Sequence, residues 1–200
     1  MNKIIVPKAW LIIISSIICI NQVKAQNWDV KILEQINPTT PNENIWKTIS
    51  STTYPLAIVP SITLLTTGYI KKDKQLQKKG WSAAGALIIN TALVTGLKYT
   101  IDRKRPYEEY PNLIFPDEYK QGHSFPSGHV STAFATATSL TLTCKKWYIV
   151  IPAYTWATSV AYARMYVGQH YPTDVLAGAL IGTGSAILSN WLTKKYFNKN

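Results

Sequence analysis

Cysteine is nearly absent: Cys19 and Cys144 are the two in 200 residues. Cys19 lies in an N-terminal apolar run, and loss of that run would leave Cys144 alone, so no intramolecular disulfide is expected. Acidic residues are also few, ten against 21 lysines and arginines, and they are scattered. With three histidines, no thiolate pair and no grouped carboxylates, neither a metal site nor a cofactor is expected. The net charge of +11 does not make a nucleic-acid groove. About half of the basic residues fall in Lys71 to Lys79, Lys145-Lys146 and Lys194 to Lys199, and no basic groove with interleaved aromatics emerges, so nucleic acid is not an expected partner. Long hydrophobic runs are missing too, since the apolar segments stop at about 18 residues, the lower limit for crossing a bilayer.

What is present begins with Lys3 and Lys8, an apolar run from Ala9 to Ile20, and a polar stretch ending Val23-Lys24-Ala25. This pattern fits a signal peptide over residues 1–25 cleaved after Ala25, with a retained first span as the alternative. Ile18 before Cys19 argues against a lipoprotein site. Residues 26–53 form a polar segment in which Val30, Leu33 and Ile36 mark a short amphipathic helix beside a surface loop. The rest, 54–200, is expected to be one helical domain.

Five apolar segments fill it: Tyr54 to Ile70, Trp81 to Leu97, Val130 to Cys144, Trp147 to Ala163 and Val175 to Leu192. Buried helices of a soluble bundle can be equally apolar. Charge placement favours a membrane, because the basic loop Lys71 to Lys79, the pair Lys145-Lys146 and the tail from Lys194 alternate with the remaining connections. Cytoplasmic placement of the lysines puts Gln26 to Ser51, Tyr99 to His129 and Arg164 to Asp174 on the opposite side. The expected fold is therefore all-α, a bundle of about five to six mostly membrane-spanning helices with the active site at their periplasmic ends. Trp81, Trp147, Tyr148, Tyr171 and Trp191 read as interfacial belt residues.

Three clusters on that side carry chemistry. Lys98 is followed after six residues by Arg105-Pro106; then come Pro126-Ser127-Gly128-His129; then Arg164, His170 and Asp174. Pro126 suits the first turn of the helix continuing into Val130, which would leave the N–H groups around Ser127 and Gly128 facing an anion. Pro172 repeats the device and puts Asp174 in the first turn of the last helix, facing back toward His170. If Asp174 accepts the Nδ1 proton, the Nε2 lone pair of His170 is free to attack phosphorus. His129 is then the general acid, and Lys98, Arg105 and Arg164 supply positive charge for the transferring phosphoryl group. His123, Arg103 and Lys104 read as solvated neighbours.

Together these residues resemble the three-part signature of the type 2 phosphatidic acid phosphatase family, over residues 98–174. That family includes membrane lipid phosphatases, soluble bacterial acid phosphatases and vanadium-dependent haloperoxidases. The resemblance implies a phosphohistidine at His170, oriented by Asp174, with His129 protonating the leaving group and Lys98, Arg105, Ser127, Gly128 and Arg164 binding phosphate. One departure is Ala163, where many members have serine, which withdraws a hydrogen bond from Arg164. The implied activity is a metal-independent phosphatase acting on a lipid phosphate or diphosphate at the bacterial inner membrane, with no obligate protein partner. A soluble periplasmic acid phosphatase, a haloperoxidase and a non-catalytic lipid-binding protein are the alternatives.

Overall fold

The computed structural model describes residues 28–41 and 44–197. The expected signal segment lies outside the described residues. Helix α1 covers 28–36. It is followed by α2 (Asn44–Ser51), α3 (Thr53–Ile70), α4 (Lys74–Ile101), the single turn α5 (Pro106–Glu109), α6 (Gly128–Cys144), α7 (Trp147–Tyr166) and α8 (Pro172–Phe197). The five apolar segments each fall within one of the long helices, and the amphipathic rhythm at Val30 and Leu33 is the buried face of α1. Two details differ from expectation. The basic stretch is a loop only at 71–73, because Asp73 caps α4 by accepting from the N–H groups of Gln75 and Leu76 and the helix starts at Lys74. The polar segment holds a second helix, α2, whose polar sequence NIWKTISS gave no apolar run to read.

Short turns at 71–73 and 145–146 make consecutive long helices antiparallel. The starts of α3, α6 and α8 and the ends of α4 and α7 therefore share one end of the bundle, and the lysine-rich turns share the other. Two of these helices, α4 and α8, are long and apolar enough to cross a membrane. Only 28% and 33% of their most apolar windows is buried inside the protein, which is unlike the core helix of a soluble bundle. Ile62, Ile88, Leu176, Leu180 and Ile187 face outward, an apolar surface suited to lipid.

Small residues bring the central helices together. Alanines and hydroxyl residues fill the inner face of α6, including Ala133, Thr136 and Ala137. A Cβ on Gly182 would lie 2.0 Å from the carbonyl oxygen of Ser131, and one on Gly178 2.7 Å from that of Ser127, so α8 lies directly against the start of α6. Asn90 on α4 donates to Thr132 Oγ1 on α6 at 3.2 Å within the bundle. At the site end, α1 adds Val30 and Leu33 to a small cluster with Tyr107, Ile114 and Tyr171. Tyr171 is thus fully buried rather than part of an interfacial belt, whereas Trp81, Trp147, Tyr148 and Trp191 are exposed.

Candidate active site

Each expected site residue comes from a helix terminus at the same end of the bundle. Lys98 lies in the last turn of α4, which ends through Asp102 in a left-handed conformation. Arg105 precedes α5, Ser127 to His129 open α6, Arg164 lies in the last turn of α7, and Asp174 in the first turn of α8. The backbone N–H of Ser127 donates to the carbonyl of Asp174 at 3.0 Å, which locks the second cluster to the third. Arg105 does the same for the first, its Nη1 donating to the backbone oxygen and Oε1 of Gln169, both at 3.1 Å.

Pro126 is not in the first helical turn. The helix begins at Gly128, with Ser127 as its N-cap and a cis bond between Phe125 and Pro126. The consequence for the site is unchanged, since the cap residue's side chain bonds none of the open N–H groups and leaves them available. Pro172 does start α8.

Among the described residues, three fully buried side-chain atoms at this end have no hydrogen-bond partner: Ser127 Oγ, Arg164 Nε and His170 Nδ1. Orphaned donors in a buried place are costly unless something fills it. The hydroxyl and the guanidinium N–H suit an oxyanion, while the imidazole Nδ1 faces Asp174. Lys98 Nζ donates to the carbonyl of His123 at 2.5 Å, a contact that aims its ammonium along the same end.

His170 is 3% exposed and Asp174 is fully buried. Their Nδ1 and Oδ2 atoms are 3.7 Å apart, close enough for an ion pair and beyond a hydrogen bond. Asp174 Oδ2 is already occupied, accepting from the Tyr171 N–H at 2.9 Å and from Ser124 Oγ. Burial pulls the His170 imidazole down to about 3; Asp174 pushes it upward and Arg164 downward. His170 is therefore neutral, the form in which an imidazole nitrogen keeps a free lone pair. His129, just ahead of the apolar stretch from Val130, is also lowered to about 3, first by burial and then by Arg164, His170, Lys120 and Arg105. Its ring meets the edge of Tyr54 at 4.8 Å.

Arg103 is the main residue misjudged from sequence. Instead of being solvated, its Nη1 donates to Asp174 Oδ1 at 2.8 Å and to Thr173 Oγ1 at 2.7 Å. Its Nη2 donates to Asp29 Oδ2 at 3.0 Å, and its guanidinium lies 3.8 Å over the Tyr171 ring. Asp29, fully buried on α1, also accepts from the Thr173 N–H at 3.0 Å and so caps the start of α8. His123 is likewise paired, its Nδ1 lying 2.5 Å from Asp102 Oδ1. Arg164, deprived of a preceding serine by Ala163, donates from Nη1 to Ser50 Oγ on α2 at 3.0 Å. Gln169, also unflagged, donates to Asp117 and to the carbonyl of Glu118 and ties the acidic loop down.

The chain is 32% identical to an undecaprenyl-diphosphatase of Sulfolobus acidocaldarius over 116 residues, 58% of this chain and 56% of that protein. It is 31% identical to a lipid A 1-phosphatase of Porphyromonas gingivalis over 133 residues, 65% of this chain and 27% of that protein. The chain thus covers about half or less of the length of these curated relatives. Among solved structures, Aquifex aeolicus LpxE superposes with a TM-score of 0.60 at 26% identity, covering 81% of this chain and 94% of that one. A transmembrane PAP2 type phosphatidylglycerolphosphate phosphatase from Bacillus subtilis shares the fold, with a TM-score of 0.63 at 24% identity and coverage of 88% and 87%. The PAP2 superfamily model matches residues 79–198, which takes in every cluster described above, and the chain belongs to that superfamily.

Proposed function

We propose that this protein is a lipid phosphatase that releases phosphate from a lipid phosphate or diphosphate at the periplasmic face of the inner membrane, through a phosphohistidine at His170. The observation that carries the reading is the buried, neutral His170 beside Asp174, with the partnerless Ser127 Oγ and Arg164 Nε at the same helix termini. Relatives named as lipid and isoprenoid phosphatases support the substrate class. Apolar, outward-facing α4 and α8 support a membrane location, and the lysine-rich turns at the other end of the bundle support a periplasmic site.

In this mechanism the phosphoryl group binds at the start of α6, where Ser127 and the N–H groups near Gly128 meet its oxygens and Lys98, Arg105 and Arg164 balance their charge. His170 Nε2 attacks phosphorus in line, forming the N–P bond as the P–O bond to the lipid breaks. His129, held neutral by burial, gains a proton when the anionic substrate raises its basicity and delivers it to the departing oxygen. Water then attacks the phosphohistidine, with His129 taking its proton, and inorganic phosphate leaves. Asp174 stabilises the positive charge that develops on the imidazole. The test is phosphate release by purified protein in detergent from lipid phosphates, lipid diphosphates and water-soluble monoesters, with chelator present. Release from lipid esters is expected, and full retention of release by His170→Ala would remove the mechanism.

A further inference from the structure

The loop between α5 and α6 is tied to the site by its backbone. Gln169, next to His170, donates to the carbonyl of Glu118 at 2.6 Å. The Tyr107 hydroxyl donates to the carbonyl of Lys120 at 2.7 Å and accepts from its N–H at 3.0 Å. Arg105 Nε donates to the carbonyl of Gly122 at 3.1 Å, and Lys98 Nζ to that of His123. Lys120 lies in the middle of this tethered stretch and is half-buried, whereas Tyr119 and Gln121 on either side are exposed. We propose that Lys120 is a specificity residue that binds the inner phosphate of a lipid diphosphate, the one that stays with the lipid when His170 takes the terminal phosphoryl group. The assignment rests on the phosphatase reading and narrows the preferred substrate to lipid diphosphates.

Three observations favour that role. The tethers bracket Lys120 between a residue beside the nucleophile and a cation of the phosphate cradle, so its backbone is held at the site while its long, flexible side chain keeps its reach. Its charge also falls on the leaving side, because Lys120 acts on His129 ahead of Arg105, whereas the principal charges acting on His170 are Asp174, Arg164 and Arg105. Finally, its partner is weakly held. Lys120 Nζ lies 3.2 Å from Glu118 Oε2, whose side chain is 67% exposed, and so exposed a pair contributes little that a phosphate could not replace. The neighbouring acid, Asp117, is already engaged by Gln169 Nε2 at 3.0 Å. In the transfer the N–P bond to His170 forms as the bridging P–O bond breaks, and its electron pair leaves on the lipid monophosphate. Lys120 keeps its proton and balances that added charge. A lipid monophosphate departs as an alcohol and brings no second anion for Lys120 to bind.

The experiment compares farnesyl diphosphate with farnesyl phosphate, which share one tail, using wild type, Lys120→Met and Lys120→Arg in detergent. The tethers of Lys120 are main-chain bonds, so both substitutions leave them in place. The quantity read is the ratio of kcat/KM for diphosphate to that for monophosphate, since an effect of the lost charge on His129 meets both substrates. Lys120→Met is expected to lower this ratio about tenfold, the loss of one bond between charged groups, and Lys120→Arg to keep it within about twofold of wild type. An unchanged ratio in Lys120→Met, even with both activities reduced, would overturn the assignment and leave the phosphatase reading standing. No release from either compound by wild type would remove that reading and the assignment with it. Where monophosphate turnover is too slow for a ratio, inhibition of farnesyl diphosphate hydrolysis decides. Lys120→Met is expected to weaken methylenediphosphonate about tenfold relative to methylphosphonate, and equal weakening of the two would overturn the proposal.

Discussion

Arg103 and Asp174 are joined by a hydrogen-bonded ion pair of 2.8 Å, and through it the carboxylate behind His170 is anchored to Asp29 on the first described helix. Asp174 Oδ1 faces Arg103 while Oδ2 faces Tyr171, Ser124 and His170, so each oxygen has its own task. In the proposed mechanism Arg103 would act as a positioning residue for Asp174. Removing one partner of a buried pair costs about 3 kcal/mol or more. Arg103→Gln is expected to lower thermal stability in detergent and to cut kcat more than it raises KM, with Arg103→Lys recovering part of kcat. A loss of stability with kcat untouched would contradict the positioning role.

Arg164 depends on Ser50 in the same way. Ser50→Ala withdraws a bond to a charged group worth about 1.5 kcal/mol, or roughly tenfold in kcat/KM. Melting temperature is expected to fall by a few degrees as well, because a bond to the buried Arg164 is lost in the folded protein. Steady-state kinetics with a lipid phosphate checks this. Equal kcat/KM in the variant would show that Ser50 does not position Arg164.

These two contacts are not legible in the sequence. The helices were legible because each long apolar segment lay inside one helix, and the three clusters were legible because each sits at a helix terminus with a chemically telling spacing. Arg103 was misread because its partners, Asp29 and Asp174, stand 74 and 71 residues away and nothing local marks them. Ser50 lies 114 residues from Arg164, in a helix too short and polar to announce itself. Tyr171 looked like a membrane-interface tyrosine, yet packing by α1, which only the tertiary fold supplies, buries it. Pro126 was a local misjudgement: the residue two places ahead of a helix and the residue at its start look alike in sequence.

Acid should weaken the fold through the site histidines. His170 and His129 are lowered to about 3 in the folded protein, whereas an unfolded chain takes up these protons near pH 6.5. Between those values the unfolded state binds more protons, so their contribution to stability is complete above about pH 6.5 and declines as pH falls toward 3. Melting curves in detergent from pH 7 to pH 4 are expected to fall less steeply for His170→Asn than for wild type. Parallel curves would mean that His170 is not held neutral.

Contact between α6 and α8 gives a paired prediction. Gly182→Ala forces a Cβ to within 2.0 Å of the Ser131 carbonyl, while at Gly184 nothing lies within 4 Å. The first is expected to cost about 1–3 kcal/mol and to reduce activity by shifting the start of α6 away from Asp174. Gly184→Ala is expected to be neutral or stabilising by up to about 1 kcal/mol, from helix propensity. Thermal unfolding of the two variants side by side tests the packing.

The proposed mechanism passes through a covalent intermediate at His170. Rapid mixing of the purified protein with a lipid substrate labelled with radioactive phosphorus, followed by an alkaline quench and peptide mapping, reads it directly. Label on the peptide carrying His170, accumulating before free phosphate and absent from His170→Ala, is the predicted result. Phosphate release by His170→Ala at the wild-type rate, or label held on another residue, would contradict it.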